Sequence, residues 1–245
     1  MPRANRFYLP GVVWHITQRC HDRKFLLKFE RDRLRWKHYL FQARKRYGLL
    51  VLNYIATSNH VHLLVQDRGR GEIARSMQLI SGRTAQEYNR RKSRSGAFWE
   101  DRYFAKAVST DHHLIQCLVY IDLNMLRAGV VDHPAKWKVS GYREIQSPPQ
   151  RYRIIDRHAL RSLTNISSEQ TFRSVYKSWV DSRMHERPGE REGVWTESIA
   201  IGSEDYVERV KSLMGVRAYH RSISEHSEST FLIQDSSLAK PHFSD

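Results

Sequence analysis

Two apolar runs, Leu49 to Thr57 and His60 to Gln66, are separated only by Ser58-Asn59, and this spacing constrains the fold more than any other feature of the chain. Short runs rich in branched and aromatic residues predict strands, and so brief a polar link predicts that the two pair as an antiparallel hairpin. The second run opens with His60-Val61-His62. A strand sends alternate side chains to opposite faces, so both histidines point one way while Val61 packs behind them. Two imidazoles one strand step apart can hold one divalent cation, provided that a third ligand and open positions come from elsewhere. The same pair fits equally well as solvated histidines on a half-buried strand. The rest of the chain has to choose.

Upstream lies a strand, Val12 to Gln18, and then a helix from about Phe29 to Tyr47, on which Trp36, Leu40, Ala43 and Tyr47 recur at helical spacing before Gly48 stops it. His15 in the first strand is expected to face solvent or nucleic acid. Downstream, Gly69-Arg70-Gly71 breaks the hairpin, and a helix follows from Glu72 to about Arg91 with Ile73, Met77, Ile80, Thr84 and Tyr88 inward. Phe98 to Val108 reads as a strand. A helix from Asp111, its N-cap, to Ala128 ends at Gly129. The order β, α, β, β, α, β with one more helix predicts an α+β, ferredoxin-like fold: an antiparallel sheet with helices on one face and the histidine strand in its interior.

Charge narrows the partner. Forty-one Lys and Arg against 26 Asp and Glu give a net charge of +15, which favours a polyanion, nucleic acid first. The cations gather at Arg83, Arg90, Arg91, Lys92 and Arg94, with Arg102 and Arg127 further on, and Arg19, Arg23 and Lys24 form a polar turn suited to phosphate. Aromatic residues lie among them: Tyr88, Phe98, Trp99 and Tyr103. Bases can stack on such rings while cations hold the phosphates, although a charge run also serves as a merely solvated face. No apolar run approaches the roughly 20 residues of a spanning helix and no signal-peptide core is visible, so no membrane role and a cytoplasmic address are expected. Cys20 and Cys117, far apart in sequence, read as buried thiols.

The helix that begins at Asp111 has a second stripe, polar throughout: His113, Gln116, Tyr120, Asn124 and Arg127. Tyrosine, with an unperturbed pKa of about 10, is a poor nucleophile at neutral pH and needs help at the phosphorus that it attacks. A divalent ion gives that help by drawing charge from the phosphate oxygens. Tyr120 suits the nucleophile, and Asn124, one turn later, offers either a neutral oxygen ligand or a hydrogen bond to the helix end.

The segments Ser58 to Val65, Phe98-Trp99-Glu100 and Tyr120 to Gly129 together resemble the single-tyrosine HUH transposases, and within them the REP-associated tyrosine transposases, over about the first 145 residues. That resemblance implies a metal-dependent endonuclease and strand transferase acting on single-stranded or hairpin DNA at palindromic repeats. It implies Tyr120 as the nucleophile of a 5′-phosphotyrosine intermediate, His60, His62 and Asn124 as ligands of Mg²⁺ or Mn²⁺, and no nucleotide cofactor. Arg83, Arg90, Arg91, Lys92, Arg94, Trp99, Arg102 and Arg127 are the expected DNA contacts, and a homodimer is a candidate assembly. Members commonly carry Pro where this chain has Met125, a Pro that would bend the helix end beyond the Asn.

The expected organisation is a nuclease domain over 1–146, a mainly helical region over 147–219 beginning at Ser147-Pro148-Pro149-Gln150, and a serine-rich disordered tail over 220–245. Helices are predicted from Asp156 to about Glu186, with a break near Thr164-Asn165 and an end at Arg187-Pro188-Gly189, and from Ser203 to Met214. The competing function is a non-catalytic nucleic-acid binder, such as a domesticated transposase on repeats or structured RNA, since aromatic-rich sheets also recognise RNA. A metallo-β-lactamase arrangement does not fit, because Leu64 and Val65 occupy the positions where that pattern needs Asp and His.

Overall fold

The structure is a computed structural model and describes residues 8–186 and 194–235. The N-terminal residues with Arg3 and Arg6, which read in the sequence as a basic arm, and the Arg187-Pro188-Gly189 stop lie outside the described residues. In chain order come β1 (Val13–Arg19), α1 (Glu30–Tyr47), β2 (Leu50–Ala56), β3 (His60–Gln66), α2 (Glu72–Arg91), β4 (Phe104–Val108), α3 (His112–Asp122) and α4 (Asn124–Arg127). There follow α5 (Gly141–Gln146), α6 (Arg157–Leu163), α7 (Glu169–Glu186), α8 (Val194–Glu197), β5 (Ala200–Gly202), α9 (Glu204–Met214), β6 (Arg221–Ser227) and β7 (Thr230–Asp235).

Local chemistry sets several boundaries. Gly48, at φ 71°, takes the left-handed conformation that ends α1 and donates its N–H to the Arg44 carbonyl. The Asp111 carboxylate accepts the His113 N–H at the start of α3, and the Ser203 hydroxyl accepts the Tyr206 N–H at the start of α9.

The strands form one mixed sheet in the order β2-β3-β1-β4-β5-β7-β6. Every pairing is antiparallel except β4 with β5, which is parallel. The histidine strand β3 runs between β2 and β1. Thr17 of β1 lies opposite His62, and Arg19 opposite His60.

Helices flank the sheet on both faces, not on one as the sequence predicts. Gln18 of β1 meets α2, where its Oε1 accepts the Ser81 hydroxyl, whereas His15, on the opposite side of the pleat, meets Tyr120 of α3. The reason lies in the strands: β2 is buried at all seven positions and Val61 to Leu64 of β3 are buried, so each face needs a cover.

Three other boundaries differ from expectation. The strand expected over Phe98 to Val108 is reduced to Phe104–Val108, because Glu100, Asp101 and Arg102 turn into solvent; Trp99 keeps a single bridge to Cys20. The helix expected to run unbroken to Ala128 breaks at Leu123 (φ −79°, ψ 1°) into α3 and α4, with Met125 buried just beyond. Of the stretch expected to be a disordered tail, residues 221–235 instead form the hairpin β6–β7, and 236–245 lie outside the described residues. Leu232 and Ile233 are buried in the hairpin, so its apolar content outweighs its serines. The C-terminal region is thus helical in α6, α7 and α9 yet also contributes three strands to the sheet.

Candidate metal and tyrosine site

His60 and His62 leave β3 on the face turned towards α3, with ring centroids 4.9 Å apart. Each ring is fixed through Nδ1. For His60 the partners are the Asn59 side-chain oxygen at 2.8 Å and the Thr57 hydroxyl at 3.0 Å, both on the hairpin link. For His62 the partner is Nε2 of His15, at 2.9 Å. Holding both Nδ1 atoms in this way turns the Nε2 edges towards the cleft, which is the arrangement that a histidine-bound cation requires.

The Asn124 amide meets Nε2 of His62 at 2.9 Å through its nitrogen, and the same amide carries an oxygen on its other arm. The break at Leu123 begins a new turn at Asn124, and the bend commonly made by Pro exists here with Met125 in that place. The Tyr120 ring stands edge-on to His62 at 5.7 Å and to His15 at 6.0 Å. Arg127 places its guanidinium 4.2 Å from the centre of the Tyr120 ring and donates to the Tyr120 carbonyl at 2.6 Å, so this cation backs the tyrosine while lining the cleft.

Burial sets the charge of the site. His62 is held well below the usual imidazole range by burial first and then by the neighbouring His60 and His15. His15 is pushed down to about 3 by burial and by Lys106. Both rings are therefore neutral at physiological pH, the state in which an imidazole nitrogen can bind a cation. Behind them, burial raises the carboxyl of Asp122 to about 7, even though Tyr176 donates to it at 2.6 Å and Asn53 at 3.0 Å.

The cleft holds about 550 Å³. It brings together His60, His62, Tyr120 and Asn124 with Arg102 and Arg127, and adds Arg19 from the end of β1 and Arg23 from the turn after it. The other cations expected at DNA lie elsewhere. Arg83 and Arg90 are exposed on α2. Arg91 forms an ion pair with the buried Asp32 on α1. Lys92 lies 5.5 Å from the ring centre of Phe29, and Arg94 binds the Asn89 side chain and the Ala97 carbonyl, which closes its own loop. The Trp99 indole N–H is taken by the Ser81 carbonyl at 3.0 Å.

His15 is the residue that sequence reasoning misplaced. Expected at solvent or nucleic acid, it is fully buried against His62, Tyr120 and Trp195. Alternation along β1 shows that His15 and Arg19 share a face, but only the pairing register shows that it is the face of His62. Trp195, from α8, was also unforeseen: its ring lies 5.6 Å from that of Tyr120.

A second group of ligand-type side chains, Asp111, His112 and His113, brings its donor atoms within 4.8 Å of one another at the start of α3. Its groups already have partners. The Asp111 carboxylate receives the His113 N–H, a ring N–H of His113 and the Ser109 hydroxyl, while Nε2 of His113 meets the Thr230 hydroxyl at 3.2 Å.

Residues 9–124 match the family described as IS200-like transposases, a span that holds both histidines, Tyr120 and Asn124. Among solved structures, the fold resembles that of a REP-associated tyrosine transposase bound to a REP hairpin, with a TM-score of 0.50 and 16% identity, over 64% of this chain and 94% of that one. A protein from Deinococcus radiodurans R1 described as a transposase aligns at 19% identity with a TM-score of 0.34, over 49% of this chain and 95% of that one. No curated protein matches the chain. Among the described residues, no helix is long and apolar enough to cross a membrane.

Proposed function

Because residues 9–124 of this chain belong to the IS200-like transposase family, we propose that the protein nicks and rejoins single-stranded DNA through Tyr120, with His60, His62 and Asn124 holding a divalent ion. The observation that carries this reading is the convergence of Tyr120 and Asn124 from the α3–α4 break upon His62. The first four strands, antiparallel in the order β2-β3-β1-β4, are read as a ferredoxin-like core within a nuclease domain over 1–146, with residues 147–219 as its brace.

The donor set suits Mn²⁺ or Mg²⁺: two imidazoles and an amide oxygen, with Mn²⁺ the better match to nitrogen. When bound, the ion supplies charge neutralisation at the scissile phosphate. The chain's own residues do the rest. The phenol oxygen of Tyr120 attacks phosphorus and forms a P–O bond, while the bond from phosphorus to the 3′ oxygen breaks. The phenol proton passes to solvent and the leaving oxygen takes one up, giving a 5′-phosphotyrosine and a free 3′-hydroxyl. Because the new ester keeps the energy of the broken diester, a second 3′-hydroxyl can reverse the step with no nucleotide cofactor. Arg127 backs the attacking ring, and Arg19, Arg23 and Arg102 lie where the strand's phosphates would enter.

A substrate of REP type, a hairpin with a single-stranded flank, is proposed on the likeness of fold and on the arginines that line the cleft. Incubation with a labelled hairpin of this form and Mn²⁺ should give a denaturant-resistant adduct that Tyr120→Phe abolishes while hairpin binding persists. An adduct that survives Tyr120→Phe would overturn the assignment of the nucleophile.

A further inference from the structure

His15 and His62 meet through ring nitrogens only 2.9 Å apart, with their rings nearly parallel at 16° and their centroids 5.1 Å apart. Two facing nitrogens at that distance must share one hydrogen, and its position decides what the other edge of His62 can do. If His15 donates, the His62 hydrogen sits on Nε2 and the cleft edge of the ring cannot bind a cation. If His62 donates from Nδ1, its Nε2 keeps a lone pair facing the cleft.

The surroundings favour the second arrangement. The Nε2 of His62 lies 2.9 Å from the amide nitrogen of Asn124, a donor, and therefore faces it as an acceptor. His15 then carries its own hydrogen on Nδ1. That atom has no hydrogen-bond partner of ordinary geometry, and the favourable backbone contact of the ring is with Trp195. His15 reaches no solvent, and the Trp195 ring, 6.4 Å away, covers it, so water does not compete for its nitrogens.

We infer that His15 is a positioning residue: it accepts the Nδ1 hydrogen of His62 and so holds that ring in the tautomer whose Nε2 can bind a divalent cation. The inference rests on the reading of His60 and His62 as cation ligands. It assigns a role in the site to the first strand, outside the two-histidine motif, and to Trp195 the task of sealing that contact from the C-terminal region.

The test uses the full chain and needs no DNA. Long-range proton–nitrogen correlation spectra of the metal-free protein, with ring signals assigned through His62→Ala and His15→Ala, should show His62 protonated at Nδ1. His15→Phe, which keeps a ring in the space but removes the acceptor, should lose that single tautomer and weaken Mn²⁺ binding, followed by electron paramagnetic resonance, by about 10- to 100-fold, as for other outer partners of histidine ligands. His15→Gln, whose side-chain oxygen can accept the same hydrogen, should recover most of the affinity. His62 protonated at Nε2 in the unaltered protein, or unchanged tautomer and Mn²⁺ affinity in a folded His15→Phe, would refute the role. An unaltered protein that shows the Nδ1 tautomer and binds Mn²⁺ yet forms no adduct with DNA would leave this inference standing and remove the proposed reaction instead.

Discussion

The phenol of Tyr176 on α7 donates to the carboxyl of Asp122 at the end of α3, at 2.6 Å and away from solvent. Asn53 of β2 donates to the other carboxyl oxygen at 3.0 Å, so one buried group ties the C-terminal helix, the tyrosine helix and the sheet together. Asp122 lies two residues after Tyr120 and two before Asn124. Its partners therefore fix the place where α3 gives way to α4.

Tyr176→Phe should cost about 1–3 kcal/mol, because the buried carboxyl loses a donor that no water can replace. Urea denaturation followed by circular dichroism measures the loss. A change within about 0.5 kcal/mol would mean that the network tolerates the missing hydroxyl.

The cations of α2 should divide into two kinds. Arg83 and Arg90 are exposed, and replacing either with Ala should weaken binding of single-stranded DNA and lower the slope of log affinity against log salt by about 0.7. Arg91→Ala should act on stability instead. It strands Asp32, whose side chain is 3% exposed, and should cost about 3 kcal/mol, the low end for a broken buried pair because Arg91 itself keeps some contact with water. Salt titrations by fluorescence anisotropy, set beside denaturation curves, distinguish the two kinds.

Acid should weaken the start of the tyrosine helix. Burial opposes the charge on Asp111, but hydrogen bonds from the His113 ring, the His113 N–H and the Ser109 hydroxyl outweigh it and hold the carboxyl well below its usual range. A carboxyl depressed in the folded state contributes stability that is present above its unfolded pKa of about 4 and is lost as pH falls further. Asp111→Ala should therefore cost about 1 kcal/mol at neutral pH through the lost cap, and the gap from the unaltered protein should start to narrow below about pH 4 and keep shrinking as pH falls further. Thermal melts of both proteins across that range provide the check.

Removing both histidines of β3 should remove the cation. His60→Ala combined with His62→Ala should reduce Mn²⁺ binding below detection by isothermal calorimetry while the melting transition is kept. Asp111→Ala, at the second group of ligand-type residues, should leave Mn²⁺ affinity within about twofold, because those donors already serve the helix cap.

Much of this was legible in the sequence wherever the deciding interaction is local. The Ser58-Asn59 link, the Gly48 stop and the Asp111 and Ser203 caps each act within a few residues, and the elements they bound begin and end close to where the pattern predicts. Tyr120 and Asn124 could be paired because both lie on one polar stripe. What stayed hidden depends on register or on contacts across the chain. His15 is 47 residues from His62, and its role appears only once Thr17 is known to lie opposite His62. The break at Leu123 carries no Pro or Gly to announce it. Trp195 lies 75 residues beyond Tyr120, in a short helix with no motif, and the hairpin over 221–235 is masked by its serines and charges.

The parallel pairing of β4 with β5 has a consequence for how copies of this chain could associate. A strand with unpaired backbone groups is a template for another chain, and β4 would be such a strand if the sheet ended there. Ala200 and Ile201 pair with its last two residues, Ala107 and Val108, and the far side of β2 is bridged at Val51 by Ile155 and at Ile55 by Ser140. Among the described residues β6, which carries Arg221, Glu225 and His226, ends the strand order and pairs only with β7. Self-association that extends the sheet at β6 would therefore begin at the last hairpin, with four strands between β6 and the histidine strand in the order β3-β1-β4-β5-β7-β6.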